Sequence, residues 1–159
     1  YTNIVSHLKG IKAFDKLSSN GSYEMICMGT RNNWERDMFR YFLNNPAVLS
    51  ADISPLSQAD VVGDFSKFSS DWNNKMSIIY SNSLDHAPDA TSAFQNWLKI
   101  LKSGGIMILG FVFGDEVTEA DCSSFSKERV EAFFDSCSDV DLIKVCQEYD
   151  YSHYFLEKK

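Results

Sequence analysis

The run Tyr23-Glu24-Met25-Ile26-Cys27-Met28 stops at Gly29 and passes through Thr30-Arg31-Asn32 straight into a helical pattern that opens with Trp34-Glu35-Arg36. An apolar run ended by a glycine, then capping residues, then a helix reads as a strand turning tightly into a helix. Such a junction lets the ribose of a nucleotide come close to the backbone. The chain repeats the theme. Strands are expected over 24–28, 47–51, 60–62, 77–80 and 106–111, and a closing pair over 141–147 and 152–157 has hairpin spacing.

Helical stripes alternate with these runs. Ile4, Leu8, Ile11, Phe14 and Leu17 fall on one stripe, interrupted by Gly10, and predict an amphipathic helix. Asn32 with Glu35 three residues on suggests a capping box for the second helix, whose Trp34, Met38, Phe39 and Phe42 share a side before Asn44-Asn45-Pro46 stops it. A third helix is expected over 91–101, ended by a left-handed turn at Ser103-Gly104-Gly105. A polar loop over 114–124 leads to a fourth helix from Ser126. Only ten residues separate Asp52 from Gly63, fewer than a helical crossover takes, so a loop or single helical turn is expected there. The alternation implies an α/β fold: a Rossmann-like three-layer αβα sandwich whose seven-stranded, mostly parallel sheet carries an antiparallel C-terminal hairpin strand.

With 159 residues, 44% of them hydrophobic, the chain suits one domain, an amphipathic helix over 1–20 and an α/β core over 23–159. A net charge of -7 argues against extended contact with nucleic acid or an anionic membrane. Cys27, Cys122, Cys137 and Cys146 show no paired spacing, so a zinc knuckle or disulfide scaffold is not indicated. They read as reduced thiols. No apolar stretch is long enough to span a membrane and no leader pattern opens the chain, so a cytoplasmic protein is expected.

An open parallel sheet binds its ligand beyond the carboxyl ends of its strands. Those ends carry Gly29-Thr30-Arg31, Asp52-Ile53-Ser54-Pro55, Gly63-Asp64-Phe65 and Ser81-Asn82-Ser83-Leu84-Asp85-His86. Together with the stretch from Leu101 to Leu109, this succession resembles the class I S-adenosylmethionine-dependent methyltransferases over roughly residues 23–134. The resemblance implies S-adenosylmethionine as cofactor and a small-molecule acceptor. It implies that Gly29, with Thr30 and Arg31, lies beside the cofactor's amino-acid moiety. Asp52, with Ile53 after it, takes the place of the acidic residue that binds both ribose hydroxyls, a pairing suited to a carboxylate, which only accepts. Asp64 after Gly63 corresponds to the acceptor for the adenine amino group, with Phe65 at the ring. Ser81 and Asn82 fall next to the methyl donor and substrate.

The sequence departs from the family at the glycine turn. Cys27 stands at the usual acidic position, and Arg31 and Asn33 stand at the second and third glycine positions. Glu35 or Glu24 are candidates to replace the carboxylate, and Arg31 to hold the methionine carboxylate. His86, helped by Asp85, is a candidate base for the nucleophile as the methyl moves. Ordinary roles stand beside these: Asp52 and Asp64 as turn formers, Asp85 and His86 as caps of the following helix, and His7 and His153 as structural or surface residues. A cation at a helix start is opposed by the dipole, so Arg31 is expected to have an anionic partner. The alternative function is a non-catalytic methyltransferase-fold module that binds a ligand or a protein. A dinucleotide oxidoreductase lacks its Gly-x-Gly-x-x-Gly turn here. The edge near Leu56 to Asp60 is a candidate homo-oligomer contact.

Overall fold

The computed structural model describes residues 2–10, 12–17, 22–113, 125–148 and 151–159. Seven strands form one sheet: β1 Met25–Met28, β2 Val48–Asp52, β3 Val61–Val62, β4 Met76–Ser81, β5 Leu101–Val112, β6 Val140–Glu148 and β7 Tyr151–Lys158. Their order is β3-β2-β1-β4-β5-β7-β6. The first five run parallel, and β7 lies antiparallel between β5 and β6. Strand order reverses between β1 and β4, which opens a crevice at their carboxyl ends.

Among the described residues four helices cover the two faces: α1 Thr2–Gly10, α2 Trp34–Leu43, α3 Ala90–Ile100 and α4 Lys127–Ser136. On one face Leu8 and Phe39 pack on Cys27, Val48, Ile78, Tyr80 and Phe155. On the other, Phe94, Trp97 and Phe134 pack on Ile26, Ile79, Leu109 and Tyr154. Burial on both faces explains why β1, and Ile78-Ile79-Tyr80 within β4, read as continuous apolar runs rather than alternating ones.

Local elements depart from the sequence expectations in three places. The stripe from Ile4 to Leu17 is two pieces, because α1 ends at Gly10, Lys12 turns left-handed at φ 55°, and a 3-10 turn follows over Ala13–Lys16. Gly104 is left-handed at φ 72° but ends no helix. α3 stops at Ile100, Leu101 is already extended, and Gly104 sits in a bulge where β5 steps from the Met76–Leu101 pair to the Ile78–Ile106 pair. A bulge and a helix terminator make the same demand for positive φ, so the local sequence does not separate them. The capping box does not form: Asn32 Oδ1 accepts from the Trp34 amide, Asn33 takes the cap position at φ 60°, and Glu35 is buried beside β4. Trp34 leaves the apolar side of α2 and is 56% exposed.

Between β2 and β3 there is no helix, as the spacing requires. Side chains fasten the 53–60 segment instead. Asp60 Oδ2 accepts from the Ser50 amide at 2.9 Å, Ser50 Oγ at 3.0 Å, Arg36 Nη1 at 3.2 Å and Arg40 Nη2 at 3.4 Å. Burial alone would raise the Asp60 pKa, but these hydrogen bonds outweigh it and hold the carboxyl below its ordinary range. Asn33 Nδ2 donates to the carbonyls of Ser57 at 3.1 Å and Gln58 at 3.0 Å.

Cys27 and Cys146 are buried and Cys137 half-buried, all three as free thiols. Among the described residues no helix is long and apolar enough to cross a membrane. The polar loop expected over 114–124, with Cys122, and the hairpin turn at 149–150 lie outside the described residues.

Candidate functional site

The crevice at the switch point is built from four strand tips. At the tip of β1, Gly29 adopts φ 71°, and the amides of Gly29 and Thr30 both donate to the Ala51 carbonyl, at 2.8 and 3.4 Å. A Cβ on Gly29 would lie 2.6 Å from Ser83 Cβ and 3.8 Å from Phe65 Cε1. Glycine at 29 is thus demanded twice by the fold itself, by backbone sign and by the packing of Ser83. Thr30 is buried, with Oγ1 donating to Asn33 Oδ1. Asn33 holds the left-handed turn that a third glycine would otherwise supply, a conformation asparagine tolerates. Arg31 is exposed and has no ion-pair partner among the described residues, contrary to the expectation from the helix dipole.

At the tip of β2, Asp52 is 6% exposed. Its Oδ1 accepts from the Ser54 amide at 2.8 Å, the turn role read from the sequence, while no donor among the described residues reaches Oδ2. Ile53 beyond it is exposed.

At the tip of β3, the Gly63 amide donates to the Asp52 carbonyl. Both oxygens of Asp64 are engaged, Oδ1 by the Ser66 hydroxyl and amide and Oδ2 by Lys67 Nζ at 3.1 Å, and these contacts, the Ser66 hydroxyl first, lower its pKa. Phe65 is buried, its ring facing the Gly29 turn and its carbonyl accepting from Trp97 Nε1 at 2.7 Å. A hollow of ≈ 160 Å³ opens along this rim, bordered by Ala51, Val61, Asp64, Phe65, Phe68 and Trp72.

At the tip of β4, Ser81 is fully buried; its Oγ donates to the Met28 carbonyl and accepts from the Ser83 amide. Asn82 Nδ2 donates to Glu35 Oε1 at 3.4 Å. The two candidate carboxylates lie at different places. Glu24 sits at the opposite end of β1, bound to Lys102 Nζ at 2.7 Å, whereas Glu35 is buried at the crevice. Cys27 is sealed in the core, where burial pushes its thiol well above the ordinary range.

Asp85 and His86 lie on the rim, with His86 Nε2 3.9 Å from Asp85 Oδ1. They do not cap α3. Asp89 does, accepting from the Ser92 amide at 2.9 Å.

Gly29, Thr30, Asp52, Phe65, Ser81 and Asn82 converge on the crevice, while Arg31, Ile53 and His86 face solvent to varying degrees. One residue at the same level was given only a structural or surface role from sequence. His153 on β7 pairs with Gly110 of β5 and is 6% exposed. Burial foremost, with nearby positive charge from His7 among others, pulls its pKa from 6.5 to about 4. Its neighbours Gly110 and Asn82 are remote in sequence, and no local signal points to them.

No protein-family model and no curated protein matches the chain. Solved structures do match. The CurJ carbon methyltransferase superposes with a TM-score of 0.72 at 13% identity over 93% of this chain, which spans only 51% of that protein. A chain of the Haloferax volcanii complex that contains the Trm112 methyltransferase activator gives 0.72 at 15% identity, covering 99% of this chain and 95% of that one. This chain has the class I methyltransferase fold. The geranyl diphosphate C-methyltransferase of Streptomyces coelicolor A3(2), solved with Mg2+, geranyl diphosphate and S-adenosylhomocysteine, gives 0.69 at 10% identity over 97% of this chain and 80% of that one. These methyltransferase-fold neighbours share the architecture with little of the sequence.

Proposed function

We propose that this protein binds S-adenosylmethionine across the tips of β1, β2 and β4 and transfers its methyl group to a small or medium-sized acceptor inside the cell. The observation that carries the reading is Asp52, a nearly buried carboxylate at the β2 tip with one oxygen committed to Ser54 and the other open to a ligand. Two ribose hydroxyls are the complementary donors. Support also comes from the hollow of ≈ 160 Å³ beside Phe65 and from a neighbour solved with S-adenosylhomocysteine.

The bound sulfonium supplies an already activated methyl group. The chain's own residues then align the acceptor and exclude water. Glu35, buried at Asn82, takes the ammonium end in place of the carboxylate that Cys27 cannot provide. Asp64 is locked to Ser66 and Lys67, so Phe65 rather than Asp64 defines the ring side. His86 and Asp85 stand at the rim, where a proton lost by the acceptor passes to solvent.

A second reading, a methyltransferase-fold module without catalysis, is favoured by the packing of Ser83 on Gly29, which fills the face a ligand would otherwise share. Calorimetric titration of S-adenosylmethionine and S-adenosylhomocysteine into the native protein and Asp52→Ala separates the two. The cofactor reading expects native binding that falls about 100-fold in the variant, the effect of losing charge-assisted hydrogen bonds to a diol. Absence of native binding favours the module.

A further inference from the structure

The aromatic side of the sheet holds a second hollow, one residue along the chain from the glycine turn. Ser83 packs on Gly29, while the next residue, Leu84, borders a partly open hollow of ≈ 40 Å³ together with Ala90, Phe111, Val130, Phe133 and Phe134. Phe111 lies on β5 two residues beyond Leu109, the partner of Ser81 at the β4 tip, so the hollow stands level with the tips at which the crevice opens. Its walls resist closing because their rings brace one another. Phe111 meets Phe134 at 6.5 Å, Phe133 meets Phe134 at 5.7 Å, and Phe94 stands edge to face behind Phe133 at 5.1 Å. A gap between such walls forfeits dispersion contacts that an apolar occupant restores.

Size and lining state what fits. One water-sized site takes about 10–15 Å³ of such volume, so the hollow holds roughly three or four non-hydrogen atoms, whereas an engineered apolar cavity that admits benzene measures about 150 Å³. A compact branched alkyl end matches; a flat ring does not. Among the described residues the border carries one polar side chain, Thr91, which is exposed and so marks the open side. A polar group pushed past it would exchange water for ring faces, which costs free energy. The loop that supplies Leu84 follows Asn82 and runs on into Asp85 and His86 at the rim, so a molecule anchored in the hollow presents its polar end towards the β4 tip.

We infer that the hollow between Leu84, Phe111 and Val130 seats a short branched aliphatic end of the methyl acceptor, leaving the acceptor's nucleophile at the tip of β4. This assignment rests on the methyl-transfer reading and names the acceptor class within it: an aliphatic molecule with a compact hydrocarbon end opposite its polar end. Leu84, Ala90 and Val130 determine specificity, since they meet the end of the acceptor remote from the reacting atoms.

The test uses the protein saturated with S-adenosylhomocysteine and three alcohols: 3-methylbutan-1-ol, ethanol, which lacks the branched end, and phenylmethanol, which carries a ring in its place. Methyl resonances of Leu84 and Val130 should report 3-methylbutan-1-ol binding roughly 50-fold more tightly than ethanol, at about fourfold for each further carbon buried. Phenylmethanol should bind no more tightly than ethanol. Nuclear Overhauser contacts should run from the isopropyl methyls to Leu84 and Val130, and from the carbinol protons to Asn82. Ala90→Leu, which fills the hollow, should abolish the preference for 3-methylbutan-1-ol in protein that still binds S-adenosylhomocysteine. Should that variant fail to fold, the three probes and the Overhauser contacts in native protein decide the matter. Equal binding of 3-methylbutan-1-ol and ethanol, tighter binding of phenylmethanol, contacts to Val130 with none to Asn82, or a preference that survives Ala90→Leu overturns the inference alone. Failure to bind S-adenosylhomocysteine overturns the methyl-transfer reading together with it.

Discussion

Along the β2–β3 rim of the crevice, one carboxylate gathers a backbone amide, a serine and two arginines, whereas along the β4–β5–β7 rim rings pack on rings and hydrogen bonds are few. The first rim lacks the helix that would bury it, and Asp60 with Asn33 fastens the 53–60 segment by directed bonds. The second is covered by α3 and α4 and is held by burial: Phe111, Phe134 and Tyr154 meet edge to face or tilted at 5.5–6.5 Å. Burial there also pushes the Tyr154 hydroxyl up to about 12, with Glu131 adding to the shift. The contrast teaches that a short crossover is affordable when its carboxylate can satisfy several donors at once.

The sharpest way to break this comparison is to cut each rim at its principal contact. Phe134 is buried against Phe111 and Tyr154, so Phe134→Ala should cost about 4 kcal/mol in denaturant unfolding. A loss under about 1 kcal/mol would show that burial is not what secures that side. Asp60→Asn keeps the shape but removes the charge from a group only 29% exposed, and should cost about 2–3 kcal/mol. No change would reduce the 53–60 network to decoration.

Acid sharpens the same contrast gradually. Because the folded pKa of His153 is lowered from 6.5 to about 4, the unfolded chain binds a proton in that interval before the folded one does. Stability should therefore fall as pH drops from about 6.5 towards 4, by up to about 3 kcal/mol, and His153→Phe should flatten that slope in thermal unfolding. Asp60, with its pKa lowered, contributes above the ordinary carboxylate range and should give way only below it. Coincident acid transitions in native protein, His153→Phe and Asp60→Asn would merge the two rims into one electrostatic unit.

Much of this architecture was legible in the chain, because strand tips and helix stripes are local patterns. The runs ending at Met28, Asp52 and Ser81 marked the tips, and ten residues between Asp52 and Gly63 correctly forbade a helix. Positive-φ glycines were legible in kind but not in place, since Gly104 serves a bulge rather than a helix end. The continuous stripe from Ile4 to Leu17 hid a break because periodicity counts side chains and is blind to the backbone sign at Lys12. His153 escaped because its meaning depends on Gly110 and Asn82, partners supplied by strand pairing across the sheet. Sites made by long-range register leave no local trace.

The fastening of the 53–60 segment has one more consequence. It is pinned by Asp60, by the carbonyls of Ser57 and Gln58, and by the Asp52–Ser54 turn, while Ile53, Pro55 and Leu56 hang outward with Leu56 89% exposed. Those three positions are free to be rewritten without disturbing the frame beneath them. The lip of the crevice can diverge quickly in character, changing what it admits, while the sheet that bears it stays as it was.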